Sequence, residues 1–224
     1  MARIEYYVKP LRLYRYRSLN NGKFDRELNA IKASYLWCSA YMDLNDPMEG
    51  SFSSSKLLRQ SARYREIKNA IIDNKAAIRM SSFSEVFDHE LMWAHYADQF
   101  KGICIGYSLR KLLENLGNEI EFVRMFYSEK VPLVSYSTND PVTLAKMVLS
   151  YKNYRWLYER EWRMFANRGR TDYFKESCVT HVYLGARMNP EYRNRLIAEL
   201  TPLGIKTSEM SVDKYSIKFS RLRH

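Results

Sequence analysis

Glycine, proline and cysteine are all scarce here, with eight, six and three residues in a chain of 224. So little glycine and proline argues against low-complexity linkers, and the length suits a single domain over 1–224 with a substantial core. Cys38, Cys104 and Cys178 are far apart, each inside an apolar run. An odd number without close spacing argues against a disulfide framework or a zinc knuckle, so buried, reduced thiols are expected. No apolar run approaches the length of a membrane span. The opening "MARIEYYVKPLRLYRYR" has no continuous apolar segment of the secretory kind. The expectation is a soluble, cytoplasmic chain without a membrane partner.

What is abundant is positive charge and tyrosine. Thirty-six basic residues against 25 acidic ones leave +11, and eighteen tyrosines stand beside ten phenylalanines and four tryptophans. Such a charge favours polyanions, nucleic acid among them, although a solvated basic surface accounts for it equally well. The densest basic stretch, 151–170, holds Lys152, Arg155, Arg160, Arg163, Arg168 and Arg170, opposed only by Glu159 and Glu161. Tyrosine offers a stacking face and a hydroxyl, which suits flat or polar ligands as well as ordinary half-buried strands.

Periodicity predicts strands at 11–17, 35–40, 78–85, 102–108, 120–128, 178–186 and in the closing "DKYSIKFSRL". Helices are predicted at 21–33, with Phe24, Leu28 and Ile31 at helical spacing, at 56–77, with Leu57, Tyr64, Ile67 and Ile71 on one stripe, and at 140–154 and 190–203, with a short one through Leu113 and Leu116. A further helix, "DHELMWAHYADQF", is expected to be capped by Asp88 and to carry His89, Trp93, Tyr96 and Phe100 on one stripe. Asn45, Asp46, Pro47 and Gly50 form turn chemistry in "DLNDPMEG". Helices and strands mix without a βαβ rhythm, a repeat, a GxGxxG or a P-loop. The fold class is therefore α+β, a mixed, mostly antiparallel sheet with flanking helices.

His89 and His95 are six residues apart, His181 sits in an apolar strand and His224 ends the chain, so no metal site is expected. Asp46, Glu49 and Glu85 make a poor carboxylate cluster for a metal-dependent nuclease. There is no GxSxG elbow, and nothing local would lower a thiol pKa near Cys104. The densest functional chemistry is "YEREWR", 158–163. Read as a strand, it puts Glu159, Glu161 and Arg163 on one face and Tyr158, Arg160 and Trp162 on the other. That is either a catalytic edge or a charge network, with Glu161 paired to Arg163, Arg160 or Arg15.

The blocks "LYRYRSL", "LNDPMEG", "SFSEVFDHELMWAHYADQFKGICIGY" and "WLYEREWR", with the tail "VTHVYLGARMNPEYRNRLIAELTPLGI", resemble a bacterial family known as domain of unknown function 2971. The resemblance extends over nearly the whole chain, and the family's name implies no activity.

The sequence is also similar, in the order of short motifs, to ADP-ribosyltransferases of the arginine–serine–glutamate class. That similarity implies NAD as co-substrate and no metal. Arg15 would hold the NAD phosphates or ribose, and Ser82 would support the glutamate and the nicotinamide ribose. Glu161 would be the catalytic carboxylate and Glu159 would orient or deprotonate the acceptor. Tyr16, Ser84, Trp93, His95 and Tyr96 are further candidates for binding NAD, although the "MWAHYA" helix is not part of that class's usual signature. Phe83 stands where that class usually has threonine. Two functions follow: an NAD-using transferase or glycohydrolase acting as a toxin or phage-defence effector on nucleic acid or protein, or a non-catalytic, tyrosine-rich basic module binding nucleic acid or a nucleotide.

Overall fold

A computed structural model describes residues 9–135, 140–174 and 178–221; His224 lies outside them. Helices and strands mix throughout, the strands are mostly antiparallel, and helices flank them. The chain sorts into two compact units. The first comprises the described residues of Met1–Ser34, Ser84–Leu116 and Tyr173–His224, the second those of Tyr35–Phe83 and Gly117–Asp172.

In the first unit, strand Arg12–Arg17 runs antiparallel to Ile103–Ser108, which runs antiparallel to Val179–Leu184. Val179–Leu184 then pairs in parallel with Lys206–Asp213, and a hairpin adds Ser216–Arg221. Leu13, Tyr14, Arg15 and Tyr16 are all buried, so both faces of the first strand are covered. Helix Lys23–Lys32 buries Phe24, Leu28 and Ile31 at the predicted spacing, and Tyr192 of helix Pro190–Leu200 stacks on Phe24 at 4.4 Å. The strand Lys206–Asp213 escaped the pattern reading because its buried positions include Thr207 and Ser208 rather than an apolar alternation.

The tryptophan helix is shorter than predicted, Glu90–Tyr96, and Asp88 does not cap it; His89 takes that position without a side-chain bond. It stops because Asp98, Gln99 and Phe100 all have positive φ, 50°, 54° and 69°, which no right-handed helix can continue. The chain is then crowded. A Cβ on Gly102 would stand 2.2 Å from the Arg17 carbonyl oxygen, and one on Gly185 would stand 2.1 Å from that of Phe100.

The second unit orders its main strands as Ser39–Ala40, Arg79–Ser84, Glu161–Ala166 and Glu121–Arg124. Helix Tyr64–Ala77 packs Ile71 against Leu144 and Val148 of helix Pro141–Val148, with Leu58 and Val134 closing the cluster. The predicted helix over 56–77 is two helices, Lys56–Gln60 and Tyr64–Ala77, because Ser61 turns extended between them and its hydroxyl bonds back to the Leu58 carbonyl. Leu57, expected on the buried stripe, is 76% exposed, and its neighbour Leu58 is buried instead. The strand predicted over 120–128 breaks at Met125, whose N–H goes to the Glu161 carbonyl, while Phe126–Ser128 pairs in parallel with Tyr151–Asn153. That second strand also ends the helix predicted over 140–154, which stops at Val148. The three cysteines are free and buried, as expected.

Gly102→Ala and Gly185→Ala should each destabilise the fold by about 1–3 kcal/mol or more, because backbone rather than a flexible side chain must give way. Chemical denaturation of each variant beside the parent measures this, and an unchanged midpoint would refute it.

Candidate functional site

The "YEREWR" segment is not one strand. Tyr154–Glu159 is a short 3₁₀ turn, started by the Asn153 side chain accepting the Arg155 N–H at 3.0 Å. Arg160 then takes φ 44° in the left-handed region, and the strand begins at Glu161. This reversal, rather than strand alternation, brings Glu159 and Glu161 to the same lysine. Lys152 donates to Glu159 at 2.5 Å and to Glu161 at 3.0 Å from the adjoining strand Tyr151–Asn153. Trp162, predicted on the face opposite Glu161 and Arg163, is buried as they are, because both faces of Glu161–Ala166 are covered.

A third carboxylate arrives from far away in sequence. The Asp46 carboxylate accepts the Met48 N–H at 2.9 Å, the Asp46 carbonyl accepts the Glu49 N–H at 3.1 Å, and Gly50 takes φ 70°. This turn delivers Glu49 to Arg163 at 2.9 Å and to Lys152 at 3.2 Å. Arg163, with 0% exposure, also donates through Nε and Nη2 to Glu161 Oε1 at 3.0 and 2.8 Å and through Nη1 to the Leu149 carbonyl at 2.6 Å. Both oxygens of Glu161 are thus engaged, Oε1 by Arg163 and Oε2 by Lys152, and the residue is 3% exposed. Burial by itself would raise the Glu161 carboxyl pKa. The charges of Arg163 and then Lys152, with a hydrogen bond from Ser82, outweigh it and hold the group below the usual carboxylate range. Burial would likewise lower the Arg163 pKa, but Glu161 and Glu49 raise it further above its ordinary value. Tyr127, whose hydroxyl accepts the Glu161 N–H at 2.7 Å, has its own ionisation pushed up, chiefly by burial.

Beside this network lies a pocket of about 760 Å³, within the usual range for small-molecule sites. The turn Asp46–Gly50 forms part of its wall, with the rings of Tyr41, Phe52 and Tyr64. Lys75, a residue 7% exposed, also lines it, its ammonium donating to the Gly50 carbonyl at 2.5 Å and lying 4.9 Å from the Tyr41 ring centre and 5.5 Å from that of Phe52. Among the described residues no carboxylate pairs with Lys75, and burial lowers its pKa. Arg59 and Lys68 stand exposed on the pocket lining. A smaller pocket of about 170 Å³ shares Asp46, Glu49, Gly50 and Ser51 and reaches Lys152. Lys75 escaped attention in the sequence, yet it extends the stripe Tyr64, Ile67, Ile71 by four more residues. A lysine at such an inward position is the signal that could have found it.

The other expected site residues divide between the units. Ser82 joins Glu159 and Glu161 in the second unit. Arg15 belongs to the first, where it hydrogen-bonds Tyr107. Tyr16 meets Trp93 edge-on at 5.4 Å and donates to the Val86 carbonyl at 3.0 Å. Trp93 is fully buried, its Nε1 bonded to the Phe87 carbonyl at 2.7 Å, which makes it a core ring. Ser84 faces Tyr14 across the strands, and its hydroxyl accepts the Val86 N–H at 3.1 Å. His95 is exposed and lies edge-on to Tyr96 at 6.2 Å. Among the described residues no group of three or more His, Cys, Asp or Glu could hold a metal ion, and no helix is long and apolar enough to cross a membrane.

The network carries three carboxylates against two cations, so losing a cation and losing a carboxylate should have unequal effects. Lys152→Met should cost about 3–5 kcal/mol by leaving carboxylates buried without their shared partner. Glu159→Gln should cost only about 1–2 kcal/mol, because it removes the surplus charge. Urea denaturation of both variants measures the difference, and equal losses would refute it. Because Glu161 titrates lower folded than unfolded, where about 4.3 is usual, its contribution is complete above roughly pH 5 and is lost as the pH falls through the folded value. Urea midpoints taken from pH 7 to pH 3 should therefore fall below roughly pH 5, and less steeply in Glu161→Gln.

No protein of curated function and no solved structure matches this chain. Residues 92–164, which include Lys152, Glu159, Glu161 and Arg163, match the family described as protein of unknown function (DUF2971).

Proposed function

We propose that this chain is a binding module for a small phosphorylated ligand carrying a flat ring, a nucleotide in chemical class, held in the 760 Å³ pocket of the second unit. The observation that carries this reading is Lys75. Its ammonium has no carboxylate partner among the described residues; the Gly50 carbonyl and the Tyr41 and Phe52 rings meet it, which leaves its positive charge for an anion in the cavity that it lines. Arg59 and Lys68 add charge for a phosphate, and Tyr41, Phe52 and Tyr64 offer stacking faces.

A second reading, NAD cleavage or ADP-ribosyl transfer by Glu161, draws on the hydrogen bond between Ser82 and Glu161, the support that the motif similarity implies. It requires Glu161 to leave Arg163 or Lys152 when NAD binds. Labelled NAD incubated with the protein and with Glu161→Gln separates the readings. Nicotinamide release lost in the variant would favour the enzyme.

Calorimetric titration of the full chain with AMP, ATP and NAD should give saturable binding that weakens with salt. Lys75→Gln should weaken it by about tenfold or more, the usual effect of losing a charged hydrogen bond. Undiminished binding by a folded Lys75→Gln would overturn the assignment of this pocket.

A further inference from the structure

Asp46 is 6% exposed and lines both pockets, yet only part of its carboxylate is used. Its Oδ1 accepts the Met48 N–H at 2.9 Å. Among the described residues no cation pairs with it and none donates a hydrogen bond to Oδ2. That oxygen is not sealed in the protein but opens on the cavity, where donors brought by a ligand can take the place of water. A phosphate cannot supply them, because it carries the same sign of charge.

Resting on the nucleotide reading of the larger pocket, we propose that Asp46 is its specificity-determining residue and that the ligand is a ribonucleotide whose vicinal hydroxyls donate to Asp46. The pocket divides its labour in a way that suits this. Lys75, Arg59 and Lys68 are the cations for phosphate, and Tyr41, Phe52 and Tyr64 are the faces for a base. Ribose is the part of a nucleotide that joins phosphate to base, and its paired hydroxyls are donors spaced to meet one carboxylate. Asp46 is four residues before Gly50, whose carbonyl holds Lys75, so the acceptor and the phosphate cation are fastened to one turn.

Asp46→Asn is the informative variant, because it keeps the oxygen that accepts the Met48 N–H while replacing the idle acceptor by a donor. AMP and 2′-deoxy-AMP are titrated into the parent, Asp46→Asn and Lys75→Gln, with unfolding midpoints as the control for folding. The parent should prefer AMP by about ten- to hundredfold. Asp46→Asn should bind both equally, at the parent's deoxy affinity, and Lys75→Gln should weaken both by the same factor. Equal binding of the two nucleotides by the parent overturns the inference while leaving the nucleotide reading intact, as does a folded Asp46→Asn that still prefers AMP. Absence of binding by either nucleotide overturns both. Should Asp46→Asn fail to fold, the parent's preference between the two ligands still decides.

Discussion

An arginine with no exposed surface cannot shed its charge, and Arg163 therefore dictates what surrounds it. Strand Glu161–Ala166 can run through the core of the second unit only with carboxylates already waiting there. Glu161 supplies one from the same strand, two residues away, and Glu49 supplies the other from a turn more than a hundred residues earlier. Lys152 then ties Glu49 to Glu161 and brings in Glu159. Each member explains a local peculiarity: the left-handed Arg160, the short strand Tyr151–Asn153, the turn that closes on Gly50. An ion cluster of this kind adds little net stability compared with well-packed apolar groups, but it tolerates very few arrangements.

The pocket is a by-product of that constraint. Glu49 anchors one end of the turn to the network, and the Gly50 carbonyl beside it receives Lys75. The turn is thus held from two sides by cations, one sealed in the network and one facing a cavity. Asp46 stays buried at its start because its N–H acceptor role shapes the same turn. Neighbouring residues are thus turned to different places, Glu49 into the sealed network and Asp46 with Lys75 onto the cavity wall.

Most of the elements were legible because their patterns are strong. Phe24, Leu28 and Ile31 announce a helix, and "ICIGYS" announces a buried strand. The charge-network reading of "YEREWR" was also legible as one alternative, and the Glu161–Arg163 pair was among those expected. The remaining partners were not, because Lys152 and Glu49 meet Glu161 through turns whose geometry is not periodic. The left-handed residues at 98–100 and at 160 are non-glycine, so nothing in local propensity marked them. The helix break at Ser61 was hidden for a similar reason: serine is unremarkable in a helix until its hydroxyl finds a carbonyl. Lys206–Asp213 was lost because parallel pairing buries threonine and serine there.

The interleaving of the two units bears on how the chain emerges from a ribosome. All of the second unit has been made by residue 172, whereas the first still waits for a strand that belongs inside its sheet, Val179–Leu184, between Ile103–Ser108 and Lys206–Asp213. Until that strand arrives, one side of the apolar Ile103–Ser108 has no hydrogen-bonding partner. A nascent chain of this protein therefore carries a sticky, unpaired edge through the synthesis of some seventy residues, and stalling or truncation in that interval would expose it to aggregation while the ionic cluster is already complete.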